Sequence, residues 1–322
     1  MKRLVKSLWL VLILAFVVCA PTVLFGQAYP AKEINMTVAI ATGGTVDISA
    51  RLLAKAAEKY LGKPIVVTNN GGGSGSVALE LLKNSAADGY HIVACPQTPL
   101  VEVPILRKVG YTVDDFVPIM HYAEPDSGVV VRVDSPFKTL KDLVEYARKN
   151  PGKVTFSTSG ATTPFALAMM HIARKEGISW TAVPVPGGDP NMPLLGGHVT
   201  AFAAATSWKR YVDEGRFRLL AVFSERRMKE FPEVPTIKEL GYDFVARAYY
   251  LFVAPKGTPT AIIQKLDETF RRAMEDAEFK GYMNKMALRI SYGSSETTRK
   301  RLVESLREFK KTLEELKIPR EE

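Results

Sequence analysis

Two stretches of this 322-residue sequence place glycines and hydroxyl residues where a strand pattern hands over to a helix pattern. In the first, residues 36–40 run into Ala41, Thr42, Gly43, Gly44 and Thr45, and a helical pattern opens at Asp47. In the second, residues 154–157, ending on Ser157, run into Thr158, Ser159, Gly160, Ala161, Thr162 and Thr163, with Pro164 suited to the first helical position. A helix N-terminus carries unsatisfied N–H groups and about half a positive charge, and favours an anion by about 0.3 to 1 kcal/mol, rising to about 2 when partly buried. Two such ends facing one cleft would hold a carboxylate without any arginine. The hydroxyls of Thr42, Thr45, Ser157, Thr158, Ser159, Thr162 and Thr163 would add donors. Each junction taken alone is also what a well-capped helix looks like, with Thr45 or Asp47 as the cap of the first.

Other chemistry finds little support. His91, His121, His171 and His198 are far apart, and none lies three or four residues from another ligand on a helical stretch, so no metal site is expected and each reads as a surface or packing histidine. The run 69–76 (NNGGGSGS) invites a nucleotide loop but lacks a lysine followed by serine or threonine, and Ser76 replaces the third glycine of a dinucleotide fingerprint. Ser74 lacks the flanking glycines of a nucleophile elbow. A backbone turn needing positive φ is the plainer reading of this run, and no cofactor is expected.

The elements that must position the two junctions read as an alternation. Strands at 34–40, 65–68, 90–94, 129–133, 154–157, 181–185, 199–203 and 219–223 interleave with helices at 47–61, 77–84, 140–149, 164–175 and 190–195. This argues for an α/β fold of mostly parallel sheets covered by helices on both faces. From Pro259 the chain turns helical, at 262–277 and 296–316, where Leu302, Leu306, Phe309, Leu313 and Leu316 form one apolar stripe. The Lys and Arg residues between them read as a solvated face. No aromatic residue is interleaved to stack on bases, so no nucleic-acid partner is expected.

Length suits two domains, and 47 % apolar with 24 % charged residues is ordinary globular composition, which excludes a disordered, fibrous or polytopic membrane protein. Lys2, Arg3 and Lys6 precede an apolar stretch at 8–20, and Gly26 and Ala28 hold the spacing of a signal-peptidase site. Residues 1–28 are therefore expected to be a signal peptide, whose loss removes three of the nine net positive charges. An uncleaved anchor or a lipid on Cys19 is the alternative. After cleavage Cys95 is the one remaining cysteine, so no internal disulfide is expected and stability must come from the core.

The order of motifs resembles the extracytoplasmic solute-binding receptors of tripartite tricarboxylate transporters, the Bug proteins. The carriers are Tyr29-Pro30, Gly43-Gly44 with Asp47, Ala50-Arg51-Leu52-Leu53, and Leu61-Gly62-Lys63-Pro64-Ile65-Val66-Val67 before Asn69. Residues 72–75, Asp88-Gly89-Tyr90, Pro151-Gly152-Lys153, Leu194-Leu195-Gly196-Gly197, Val234-Pro235-Thr236 and 252–259 follow. Singly these are weak; in this order and spacing they are specific.

The resemblance implies a type II-like periplasmic-binding-protein fold: two lobes with mixed, mostly parallel sheets and a hinge cleft. Lobe I would take 29–125 and 225–322 and lobe II 126–224, with crossings near 124–127 and 224–227. It further implies a non-enzymatic monomer in the periplasm that grips a small carboxylated solute between the Gly43-Gly44 loop and the Gly160 loop, with Gly187 nearby, and delivers it to membrane transporter subunits. Ala41 and Thr42 stand where two prolines are usual, Thr162 for a glycine, Ala166 for a histidine, Thr200 for an aspartate, and Val185-Pro186 for an aromatic-lysine pair. Such a less polar wall suits a carboxylate with an apolar body as well as a di- or tricarboxylate. An exported enzyme acting on a carboxylic acid, or a receptor for a signalling partner, remains an alternative at this point.

Overall fold

The computed structural model describes residues 29–161, 163–185 and 189–316, and residues 32–316 belong to one body. The expected signal peptide lies outside the described residues. The chain begins with β1 (Ile34–Val38), α1 (Thr45–Leu61), β2 (Ile65–Asn69), α2 (Ser76–Lys83), β3 (His91–Pro96), the single turns α3 (Thr98–Val101) and α4 (Val103–Leu106), and β4 (Phe116–Ala123). It continues through β5 (Ser127–Arg132), α5 (Leu140–Lys149), β6 (Val154–Thr158), α6 (Pro164–Glu176), β7 (Trp180–Pro184), α7 (Met192–Leu195), β8 (Ala201–Ala205), α8 (Lys209–Asp213) and β9 (Phe217–Val222). It ends with β10 (Tyr250–Pro255), α9 (Thr260–Ala273), α10 (Ala277–Lys285), β11 (Ile290–Ser294) and α11 (Ser295–Leu316).

These strands form two sheets, ordered β11-β4-β10-β3-β1-β2 and β7-β6-β8-β5-β9. Four pairings are parallel and five antiparallel. The alternation of strands and helices leads one to expect more parallel pairing, and the difference has a topological cause. The chain leaves the first sheet after β4, builds the second, and returns as β10 antiparallel to both β3 and β4. Strands β4, β10 and β11, not picked out by local pattern, complete the first sheet. The outward crossing falls between Ala123 and Ser127. On the return, residues beyond 224 stay with the second sheet: Met228, Val234, Ile237, Tyr242, Ala246 and Ala248 are buried in its two clusters, whereas Tyr249 joins the core of the first.

Alternation in β1 buries Ile34, Met36 and Val38 against the layers on the sheet. Helix α1 stops where Gly62 takes φ 67°, its amide closing on Glu58 O. The glycine run now has a reason beyond its positive φ at Gly73, Ser74 and Gly75. A Cβ on Gly71 would lie 2.9 Å from Ala41 N and one on Gly75 2.7 Å from Ala39 O, so the run packs directly against the backbone of the first junction.

One face of the first sheet is closed by an aromatic stack in which Phe252 lies against Phe270 (centroids 4.4 Å apart) and Tyr122. Each such side chain contributes about 1.5 to 3 kcal/mol on burial. The other face takes the α11 stripe, with Leu302, Phe309 and Leu313 buried and Leu306 and Leu316 partly so, together with Leu167 of α6. The helix expected at 262–277 divides: α9 ends at Ala273, and Asp276 caps α10 by accepting from the amides of Glu278 and Phe279. Cys95 is free and fully buried, and burial pushes its thiol far above the usual range, which makes it inert.

Candidate functional site

The first junction sits over the C-terminal ends of β1, β2 and β3, where Val38 is in register with both Asn69 and Ala94. Gly43 takes φ 84° with open space around it, and Gly44 is the N-cap of α1 with no side-chain cap. Thr45 therefore begins the helix rather than capping it, and its hydroxyl pairs with Tyr250 OH at 2.7 Å. Asp47, at the third helical position, reaches back to accept from Gly43 N at 2.9 Å. Its other oxygen accepts from Arg51 Nε and from Asn69 Nδ2, both at 2.8 Å. Asn69 Nδ2 also reaches Ile40 O, and Arg51 donates to Asn69 Oδ1 and Val67 O.

Asp47 is 2 % exposed. Burial works against its charge, but donors from Gly43, Asn69 and Arg51 and the guanidinium charge outweigh it and hold the carboxyl below the usual carboxylate range. Its oxygens are thus turned into the protein, fixing the loop. The amides of Thr45, Val46 and Asp47 have no hydrogen-bond partner among the described residues, and Ala41, Thr42 and Gly43 are exposed.

The second junction solves the same problem without charge. Thr163, in extended geometry, caps α6 by accepting from Ala166 N, and Pro164 takes the first helical position as its type predicts. Thr163 Oγ1 lies 3.1 Å from Thr158 Oγ1 and donates to Gly160 O, whose second lone pair receives Thr163 N. Ser157 Oγ donates to Pro190 O, tying β6 to the following strand-to-helix loop. Amides of Ser159, Gly160 and Ala161 have no partner among the described residues, and Ser159 and Ala161 are exposed.

Of the hydroxyls expected to serve as donors, those of Thr45, Ser157, Thr158 and Thr163 are engaged inside the protein and shape their loops. Those of Thr42 and Ser159 point to no protein partner among the described residues. Thr162 and Gly187 lie outside the described residues. The structure gathers Gly43, Gly44, Thr45 and Asp47 into one constellation and Ser157, Thr158, Gly160 and Thr163 into another; no hydrogen bond or ion pair joins the two among the described residues. Arg51, Asn69 and Tyr250, which fix the first loop, carry a weaker signal in sequence: Arg51 is four residues from Asp47 on one helix face, but Asn69 and Tyr250 arrive through sheet pairing.

No group of three or more His, Cys, Asp or Glu residues suited to a metal occurs among the described residues. His121 is a packing histidine: its Nδ1 pairs with Thr298 Oγ1, and burial lowers its pKa to about 4. His91 and His198 are exposed.

Set beside known proteins, the chain matches the family described as tripartite tricarboxylate transporter family receptor over residues 49–318. A Cupriavidus necator protein, named "UPF0065 protein in gbd 5′ region", is 34 % identical over 290 residues, which cover 89 % of this chain and 88 % of that one. The solved periplasmic binding protein BugD is 26 % identical with a TM-score of 0.79, covering 91 % of this chain and 100 % of BugD. An R. palustris protein solved with adipate shares the fold at 24 % identity and a TM-score of 0.83, over 91 % of this chain and 100 % of that one. The two-sheet architecture and these likenesses agree, and the chain belongs to the tripartite tricarboxylate transporter receptor family.

Proposed function

We propose that this receptor works in the periplasm, captures a small carboxylate between its two junction loops, closes on it by a hinge motion, and delivers it chemically unchanged to membrane transporter subunits. The observation that carries the reading is the pair of helix N-termini, each set at the end of a parallel strand and each presenting unpartnered main-chain amides, in a member of this family. Neither loop offers a lysine or arginine to the solute, since Arg51 is turned to Asp47 and Asn69. Recognition would rest on amides, which suits a carboxylate held by several charge-assisted hydrogen bonds. Micromolar capture corresponds to about 8.2 kcal/mol, within reach of such contacts after the cost of closure.

That a relative in fold was solved with adipate supports an acid with two carboxylates and an apolar middle, in keeping with Ala41 and Ala166 where the family carries proline and histidine. The lobes would be built on the two sheets, with the outward crossing at 124–127 and the return crossing at 247–249, where the core contacts change sheet. The receptor would act as a monomer.

The test is a thermal-shift panel of mono-, di- and tricarboxylates, with Gly160→Val alongside. An acid at 100 times its dissociation constant adds about 2.7 kcal/mol of stability. A Cβ at position 160 would meet only Thr163 Cγ2, at 3.4 Å, so the variant should fold and lose the shift. A full shift in Gly160→Val would remove the second loop from the site, and turnover of the bound acid would make the protein an enzyme.

A further inference from the structure

Helix α10 ends in a way its residues do not favour. Ala287 N donates to Asn284 O and Leu288 N to Met283 O, the paired closure that puts the residue after a helix in the left-handed region, and Ala287 takes that region at φ 47°. Glycine is the usual residue there because a Cβ is penalised. Gly62 and Gly177 fill the same role where α1 and α6 end, at φ 67° and 63°. The surroundings of the extra methyl explain it. Ala287 is 5 % exposed and belongs to the apolar cluster of the second sheet with Val222, Met228 and Val234, although α10 packs on α1 and β11 pairs with β4 of the first.

Two residues on, the same turn is bound to the outward crossing. Arg289 O accepts from Glu124 N at 3.0 Å, and the Arg289 guanidinium lies 3.4 Å from the Glu124 carboxylate and 3.7 Å from that of Asp126. Glu124 follows β4 of the first sheet, whereas Asp126 precedes β5 of the second, so one arginine spans the crossing. The two carboxylates are only 17 % and 15 % exposed, which sets these pairs apart from the weak ion pairs of an open surface. Arg301 of α11 also pairs with Glu124, at 3.5 Å, and lies over the ring of Tyr249 on the return crossing, 5.2 Å from its centroid.

We propose that residues 287–289 form a third, non-covalent strut between the two sheets, and that Ala287 and Arg289 are positioning residues for solute capture. This rests on the reading that capture involves a hinge motion. Two chain crossings alone would let the sheets swing over a range of angles. A methyl seated in the second cluster, together with an arginine held by carboxylates on either side of the outward crossing, selects one of those angles, and with it one spacing of the two junction loops. The left-handed alanine is the mark of that role: glycine would relax the backbone but leave the second sheet untouched.

The experiment is a pulsed electron-electron distance measurement between nitroxide labels on Lys63→Cys, in the turn after α1, and Lys153→Cys, just before β6, in the purified full chain on a Cys19→Ser background. Both lysines are exposed, and Cys95 is too deeply buried to take a label. Without added solute the otherwise unchanged protein should give one narrow distance population. Arg289→Met and Ala287→Gly should each add a second. The melting temperature of Ala287→Gly should hardly change, because relief of the left-handed backbone offsets the lost methyl contact. Two populations already present without either substitution, or an unchanged distribution in either variant, would overturn the proposal. A distance change in Ala287→Gly that comes only with a marked fall in melting temperature would reduce the methyl to ordinary packing and overturn it as well. No solute enters this measurement, so a protein that binds an acid but whose distances ignore both variants loses the strut alone, and one that keeps the strut but binds no acid loses the proposed function.

Discussion

The two junctions share a design, a strand ending in glycine-bearing loop and helix N-terminus, yet they are held by opposite means. The first is fixed by a buried carboxylate with donors from a loop amide, a strand-end asparagine and a helix arginine. The second is fixed by two threonine hydroxyls converging on one carbonyl. An acid at the third position of α1 already complements the helix dipole, so part of the attraction for an external anion is spent within the protein. The second loop contains no ionisable side chain, and the positive end of α6 stays available. Under the proposed function this difference is a division of labour: the first loop would set shape and the second would supply most of the pull.

The sharpest way to break this comparison is Asp47→Ala. It removes the acceptor shared by Gly43 N, Asn69 and Arg51, of which Asn69 keeps Ile40 O and Arg51, 41 % exposed, keeps Val67 O. It should cost about 2 kcal/mol in urea unfolding, the worth of several charge-assisted hydrogen bonds less what the partners recover. Thr163→Ala should cost only about 1 kcal/mol of stability, the usual worth of an N-cap, but weaken acid binding about tenfold. Equal losses of stability from these two variants would mean that the loops are not held differently after all. Tyr250→Phe tests the support beneath the first loop and should cost about 1 kcal/mol or less, since the freed Thr45 hydroxyl is half-buried and can find water.

Acid sharpens the contrast by the smallest margin. The Asp47 pKa is lower folded than unfolded, so its stabilisation is fully present above about pH 4 and is lost as pH falls through the depressed folded value. Melting curves at pH 3 and pH 7 should differ less in Asp47→Asn than in wild type, while Thr163→Ala should leave that difference unchanged. An unchanged acid limb in Asp47→Asn would remove the charge from the account.

Much of this was legible because both junctions are local. Strand residues such as Met36 and Val38 alternate, Gly43 and Gly160 fall where the period changes, and Pro164 marks a helix start. What escaped depends on distant pairing. Thr45 was open to a capping role by type, but Tyr250, brought alongside by β10, claims its hydroxyl. Asn69 reaches Asp47 only because β2 runs parallel to β1 in a register that sets Asn69 beside Val38. Strand β10 itself is a uniformly buried run with no alternation, and only its pairing on both sides, Phe252 with Ala94 of β3 and with Met120 of β4, identifies it as an interior strand.

The place of β10 between β3 and β4 also dictates an order of assembly. While the chain is being synthesised, the second sheet has all its strands by Val222, but β3 lacks one neighbour and β4 lacks both until Tyr250 emerges. A nascent molecule therefore carries all strands of the second sheet alongside bare strand edges of the first, which are templates for aggregation. Truncation before residue 250 should yield inclusion bodies rather than a smaller receptor, and a chaperone that shields this intermediate must hold on until the last quarter of the polypeptide has been made.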